Sequence, residues 1–182
     1  MKKERRTELL ELLPKNAVCA EIGVWKGEFS KQILQYATPK QLHLVDPWRF
    51  AAQFPQRWYG GLAAGCQQDM DRIYEGVVAQ FWETQNVVIH RNDSVDAVKL
   101  FCDGSLDWVY IDGDHSYNAV LCDLREWNTK ISWLKGGFIA GDDYDWTDES
   151  GNHSVRRAVE DFVSERGCQL ELLSECQFLL KL

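Results

Sequence analysis

Asp112-Gly113-Asp114-His115-Ser116-Tyr117 and Gly141-Asp142-Asp143-Tyr144-Asp145 each follow a short apolar run, Leu106 to Ile111 and Phe138 to Ala140. Each run reads as a buried strand, so these acids stand at strand ends. If the two strands are neighbours, Asp112, Asp142 and Asp143 meet at one rim. Three carboxylates so placed do not all ionise near neutral pH without a cation, a basic partner or shared protons. A divalent ion resolves the repulsion, and an all-oxygen donor set favours Mg²⁺, Ca²⁺ or Mn²⁺ over zinc. The competing reading is that one or two of the aspartates only cap helices or turns. Asp142 and Asp143 also point opposite ways if the strand continues, so joint binding requires the strand to have ended. His115 follows the strand-terminal Asp-Gly-Asp. An imidazole with an ordinary pKa of about 6.5 is partly neutral near pH 7 and can take a proton.

A second constellation lies earlier, in Ala20-Glu21-Ile22-Gly23-Val24-Trp25-Lys26-Gly27-Glu28-Phe29-Ser30. It reads as a strand end, a glycine turn and the first turn of a helix that carries Ser30. Glycine in such a turn permits φ > 0 and lets a ligand touch the backbone. The turn aims N–H groups and a positive helix end at that ligand. The dinucleotide fingerprint G-x-G-x-x-G is absent; the chain has Glu21-x-Gly23-x-x-x-Gly27 instead. An acid there repels a pyrophosphate and suits a cationic group. Asp46, 25 residues after Glu21, ends Leu42-His43-Leu44-Val45 and is placed to accept ribose hydroxyls. The ligand so described carries a nucleoside and a positive charge, with no required phosphate. Asn92-Asp93-Ser94, at the end of a third strand, faces the base half. There Asp93 could accept an adenine amino group and the Ser94 backbone could pair with a ring nitrogen. Either residue would equally serve as a plain helix cap.

The elements that must position these groups follow from periodicity. Strands are expected at Val18 to Ile22, Gln41 to Val45, Val87 to Ile89, Leu106 to Ile111, Phe138 to Ala140, Gln169 to Leu173 and Gln177 to Leu182. Helices are expected at Thr7 to Leu13, Glu28 to Tyr36, Asp69 to Trp82, Val95 to Phe101, Asn118 to Trp127 and Val155 to Glu165. The fifth of these helices continues, or is followed by a shorter one, to Leu134. The last two strands read as a hairpin through Ser174-Glu175. The result is an α/β fold, a doubly wound, mostly parallel seven-stranded sheet whose last strand is antiparallel. Trp48 to Gln68, rich in aromatics, is either an exposed connection packed on the core or a lid over the site. Tyr144, Trp146 and the Trp48–Tyr59 stretch are expected to wall the acceptor site.

The 182 residues are expected to form one domain, 1–182, with an N-terminal helix in 1–16 and the lid candidate in 48–68. A net charge of −8 argues against a general grip on nucleic acid. Six cysteines without C-x-x-C spacing read as reduced core residues rather than metal ligands or disulfides. No apolar run reaches membrane-spanning length, and Leu9 to Leu13 is too short and acidic for a signal core, so a cytoplasmic protein without membrane contact is expected. The exposed aromatics leave room for a homodimer.

Glu21-x-Gly23-x-x-x-Gly27 with Val45-Asp46 resembles motif I and the following acidic loop of the class I S-adenosylmethionine-dependent methyltransferases. The resemblance runs from about Ala17 to the C-terminus. Asp112 to Tyr117 with Asp142-Asp143 is similar to the metal-dependent O-methyltransferases of the catechol and caffeoyl-coenzyme A type, and to the sugar O-methyltransferases of macrolide biosynthesis. The catechol type has a lysine base at the position of His115 and commonly asparagine at Asp143, so the macrolide group is the better match. The resemblance implies a Rossmann-like methyltransferase fold with S-adenosylmethionine at Glu21, Gly23, Gly27, Ser30, Asp46, Asp93, Ser94 and Asp112. It also implies Mg²⁺ or another hard divalent cation at Asp112, Asp142 and Asp143, with His115 as base.

Methyl transfer from a sulfonium is an in-line displacement, so alignment is the main task. An aliphatic hydroxyl must lose its proton, which a divalent ion and His115 would assist. The expected reaction is therefore methylation of a hydroxyl on a small sugar-like or natural-product-like molecule. A metal-independent methyltransferase is the nearest rival and predicts activity that survives chelation. A non-catalytic nucleoside-binding α/β module would need neither His115 nor the aspartates. A nicotinamide oxidoreductase lacks its third glycine here.

Overall fold

The computed structural model describes residues 2–53, 58–132, 136–148, 150–173 and 176–182. Seven strands form one sheet: β1 (Val18–Ile22), β2 (Gln41–Val45), β3 (Val87–His90), β4 (Trp108–Ile111), β5 (Phe138–Gly141), β6 (Gln169–Leu173) and β7 (Gln177–Lys181). Their order is β3-β2-β1-β4-β5-β7-β6, with β7 antiparallel to both of its neighbours and the other pairs parallel. The chain turns back between β1 and β4, and at such a switch point the loops after adjacent strands leave in opposite directions and open a crevice.

Alternation along the strands divides the core in two. Ala20, Ile22, Val109 and Ile111 face a cluster with Leu124, Trp127, Val159 and Phe162, from α5 (Tyr117–Asn128) and α6 (Ser154–Arg166). Cys19, Trp108 and Tyr110 face the opposite cluster. That cluster holds Leu9 and Leu10 of α1 (Lys2–Leu12), Phe29 of α2 (Glu28–Gln32), Ile33, and Val77 and Phe81 of α3 (Gln67–Phe81). Helices thus cover both faces, as a parallel sheet buried on both sides requires.

Several boundaries moved. α1 begins at Lys2 rather than Thr7. α2 widens into a π-helical stretch, Ile33–Ala37, and ends where Thr38 takes φ 45 ahead of Pro39. The helix after β3 is one α-turn, α4 (Ser94–Ala97), followed by a 3-10 turn, Val98–Leu100. No helix continues through Thr129–Ser132; Ile131 instead makes a parallel bridge to Leu106, which keeps Leu106 outside β4. The expected continuation to Leu134 and the Ser174-Glu175 turn lie partly or wholly outside the described residues. The six cysteines are free, but only Cys19 is buried; Cys66 and Cys102 are exposed, so the core reading fails for them. Among the described residues no helix is long and apolar enough to cross a membrane.

On β2 and β3, His43 Nδ1 and His90 Nε2 share a hydrogen bond at 3.0 Å, and Phe101 packs on the edge of His43 with ring centroids 4.9 Å apart. Burial, and for His43 the neighbouring His90, hold both below the ordinary 6.5, His43 at about 4. Between pH 6.5 and about 4 the unfolded chain binds protons that the folded chain refuses. The contribution is full above that window and lost as the pH falls through it. Urea midpoints measured across the window should therefore drop more steeply for the natural chain than for His43→Leu. Parallel curves would show that the pair does not titrate on folding.

Candidate functional site

β1 ends at Ile22, and Gly23 carries the chain away at φ 92 with its N–H on the Val45 carbonyl, 2.9 Å away. A Cβ added to Gly23 would stand 2.0 Å from the Asp112 carbonyl oxygen. Glycine is required by this contact between the ends of β1 and β4, as well as by the turn. Around it opens a cavity of about 1260 Å³ lined by Glu21, Gly23, Asp46, Asp93, Ser94, Asp112, Asp123, His115, Asp143 and Trp146, among others.

Glu21 is 1% exposed and receives the Ser30 hydroxyl proton at 2.5 Å. Burial raises its pKa well above the ordinary carboxylate value; Ser30 opposes the rise, Asp112 and Asp46 add to it, and Arg6 opposes it. Ser30 is fully buried behind Glu21 and does not line the cavity. Gly27 does not line it either: at φ 72 it lies against α3, where a Cβ would come 2.9 Å from both Gln80 and Phe81. The two residues serve the turn and its acid instead.

Asp46 is 2% exposed, and its carboxylate is fully engaged. Oδ2 accepts the Val24 and Trp25 N–H groups at 3.0 and 2.9 Å; Oδ1 accepts Trp48 N–H at 2.7 Å and Tyr59 O–H at 2.5 Å. Those four donors use its acceptor capacity. Trp48 is buried, its indole donating to the Trp25 carbonyl at 2.7 Å, so the segment after β2 starts packed on the core rather than exposed. Phe50 and Tyr59 line the cavity from this segment, while Phe54 and the side chain of Trp58 lie outside the described residues.

At the end of β3, Asp93 occupies the cap position of α4 without a side-chain cap bond; its carboxylate pairs with Arg49 at 2.5 Å. The Ser94 hydroxyl goes elsewhere, donating to Asp123 Oδ1 at 2.5 Å while accepting the Trp127 indole N–H at 2.7 Å. Neither side chain therefore caps the helix.

At the rim of β4 and β5 the acids separate. β5 ends at Gly141, and Asp143 takes the left-handed region at φ 58, a conformation that aspartate tolerates better than most residues. The kink turns the Asp143 carboxylate into the cavity beside Asp112 and His115, with one donor atom from each within 4.8 Å of the others. His115 Nε2 lies 3.6 Å from Asp112 Oδ1 and 3.4 Å from Asp143 Oδ2. Burial disfavours its protonated form, but the carboxylates of Asp112, Asp143 and Asp114 outweigh it and raise the pKa. Trp146 stands edge-on to the imidazole at 5.3 Å.

Asp142 turns away from this group to Arg6, whose guanidinium also lies 3.6 Å from Asp112 and above the Phe29 ring. Burial and the Asp112 charge lift Asp142 to about 6, with Arg6 opposing. The rim is thus served by a basic partner on α1, a solution that the spacing of the acids called for without saying which residue supplied it. Tyr144, expected in the acceptor wall, is instead buried, bonded to Glu160 at 3.0 Å and packed near Phe178; Trp146 does line the cavity. Asp123, 6% exposed, escaped the sequence reading because a helical pattern gives no sign of which polar residue turns inward.

A family model for a methyltransferase domain matches residues 20–144. The chain belongs to this methyltransferase family. No curated protein matches it in sequence. Among solved structures, a Corynebacterium glutamicum protein matches with TM-score 0.65 and 15% identity over 96% of this chain and 77% of its own. A Staphylococcus aureus protein assigned as a caffeoyl-CoA O-methyltransferase gives 0.64 and 12% over 97% and 80%. Aeropyrum pernix fibrillarin, with S-adenosyl-L-methionine natively bound, gives 0.56 and 13% over 96% and 72%. At these identities the likeness is one of fold. The family makes this protein an S-adenosylmethionine-dependent methyltransferase, and the fold of its neighbours agrees.

Gly23→Ala in the methyltransferase must move the Asp112 backbone and adopt a strained φ. A loss of about 2 kcal/mol or more is expected, seen as a fall of several degrees in Tm. Gly104, at φ 70 with nothing within 4 Å of an added Cβ, is the control: Gly104→Ala should show backbone strain alone and a smaller fall. Equal losses would remove the close approach as the reason for Gly23.

Proposed function

We propose that this methyltransferase carries the methyl group of S-adenosylmethionine to a hydroxyl of a small sugar-like or natural-product-like molecule, with His115 as base and divalent-cation assistance. The observation that carries the reading is the convergence of Asp112, His115 and Asp143 on one side of the cavity, beside the aromatic edge of Trp146. The donor set fits a hard cation: two carboxylates lie on either side of an imidazole, with one donor atom from each of the three within 4.8 Å of the others. Asp112 and Asp143 would hold the ion, and Asp142 would join them only by leaving Arg6. Such an ion, when bound, lowers the pKa of an acceptor hydroxyl and stabilises the alkoxide that develops.

The chain's own groups do the rest. The acid Asp112 favours the positive charge of the methyl donor, and the turn at Gly23 lets it approach the backbone. His115 takes the hydroxyl proton at a ring nitrogen, after which oxygen, methyl carbon and sulfur align for displacement. The raised His115 pKa means that the imidazole beside the Asp112 and Asp143 carboxylates holds its proton more firmly than usual. A cation there would cancel the charges that raise it, so the ion and a competent base go together.

Two measurements test the reading. S-adenosylhomocysteine at a hundred times its Kd should add about 2.7 kcal/mol and raise Tm by several degrees, whereas NAD should not. No shift with the adenosyl compounds would remove the cofactor assignment. With a hydroxylated acceptor, His115→Ala should lower kcat about a hundredfold or more, leave S-adenosylhomocysteine affinity within a few-fold, and abolish the rise of kcat with pH. Asp143→Ala should lower kcat and raise the Mg²⁺ concentration needed for half-maximal rate at least tenfold. A rate that survives chelation would favour the metal-independent alternative, in which Arg6 supplies the positive charge at the rim. If His115→Ala lost Mg²⁺ affinity instead of the pH limb, the imidazole would be a ligand rather than the base.

A further inference from the structure

Three of the four donors to Asp46 are backbone groups of the frame. Val24 and Trp25 form the turn after β1, and Trp48 follows β2. Both tryptophans hold the left-handed region, at φ 51 and φ 42, with their N–H groups on the carboxylate. A bulky residue keeps that conformation only where its surroundings hold it there. None of these donors leaves without undoing the ends of β1 and β2. The fourth donor differs. Tyr59 comes from the π-helical stretch Trp58–Leu62, outside the sheet, and reaches Asp46 Oδ1 at 2.5 Å through a rotatable side chain. The backbone N–H groups of Arg49 and Trp48 act on its oxygen in turn. The place it fills thus offers a carboxylate to accept a proton and N–H groups to meet the oxygen, which describes a slot for a hydroxyl. Asp46 and Tyr59 both line the cavity, so the slot opens onto it.

We propose that Tyr59 is an internal stand-in for a ribose hydroxyl of the cofactor, and that the cofactor binds by taking its place on Asp46. The inference rests on the cofactor reading above and adds how that site is held closed and released. A fifth donor finds no free lone pair on Asp46, so a sugar hydroxyl bonds there only by exchange with the phenol. The exchange replaces one hydroxyl by another on the same carboxylate, so its net cost is small. An empty slot would instead leave an acid that is 2% exposed short of a donor. Position assigns the slot to the ribose rather than to the acceptor. Asp46 stands beyond β2, and β1 and β4 separate that strand from β5, which leads to Asp143. Displacing the phenol also removes a tie between Trp58–Leu62 and the frame, so occupancy of the cofactor site is passed to a segment of the cavity wall.

Titration calorimetry on the whole chain compares S-adenosylhomocysteine with its 2′,3′-dideoxy analogue, which has no ribose hydroxyl. In Tyr59→Phe the slot is vacant and nothing has to leave it. The variant should bind S-adenosylhomocysteine about tenfold or more tightly than the natural protein does, because the new bond is no longer offset by a lost one. The dideoxy analogue should bind the two proteins alike. No gain in Tyr59→Phe, or a loss, would overturn the proposal, since the phenol then stays in place while the cofactor binds. Equal gains for both compounds would overturn it too and leave Tyr59 a steric obstacle only. Should Tyr59→Phe fail to fold, hydrogen exchange on the natural protein decides. The amides of Trp58–Leu62 should exchange faster with S-adenosylhomocysteine bound and not with the dideoxy analogue; an unchanged or slower rate would sink the idea. If neither protein binds S-adenosylhomocysteine, the cofactor reading fails and this inference with it. Equal binding by both proteins leaves the cofactor reading standing and removes only the exchange.

Discussion

Negative charge is the constraint on which this molecule turns. Glu21, Asp46, Asp93, Asp112, Asp123 and Asp143 all line one cavity, with Asp142 beside it, at the end of a sheet buried on both faces. Carboxylates so confined raise one another's pKa unless something answers them. The chain answers them with several kinds of group: serine hydroxyls for Glu21 and Asp123, three backbone N–H groups and a phenol for Asp46, guanidinium groups for Asp93 and Asp142, and an imidazole between Asp112 and Asp143. Nearly every irregular feature of the rim serves one of these pairings. The left-handed Asp143, the packed segment after β2 and the docking of α1 are examples. A cavity built this way favours a ligand that is itself a cation, and a sulfonium methyl donor meets that condition.

Much of the frame was legible from periodicity. Seven alternating segments, with acids placed just beyond them, are a local signal. The register of β1 on β4, which sets Ile22 beside Ile111, carries Gly23 and Asp112 to adjacent positions without further information. The antiparallel β7 was legible for the same reason, because a short hairpin leaves the chain no room to cross over. Helix ends were less so: α4 stops after one turn and α2 loosens into π-helix, both decided by packing on the sheet rather than by propensity.

Side-chain pairing was the least legible layer. Arg6 lies 136 positions before Asp142 in the chain, and no local pattern links them. The charge argument required a partner at the rim, but only the tertiary position of α1 supplies one. Asp123 shows the same limit from the other side, since its hydrogen bond comes from Ser94 at the end of β3 rather than from its own helix. Ser30 and Gly27 carry the opposite lesson: they belong to the motif and support it from behind, without reaching the cavity.

The placement of β7 bears on how the rim is completed during synthesis. β5 has β4 on one side, and on the other only β7, whose residues 177–181 are made after every other element described. As the chain leaves the ribosome from its N-terminal end, β1 to β4 and the glycine turn are synthesised before it. Until the final strand inserts between β5 and β6, the strand that delivers Asp142 and Asp143 has one flank open. The strand that delivers the acids of the rim is therefore flanked on both sides only once the last-made of the described strands is in place.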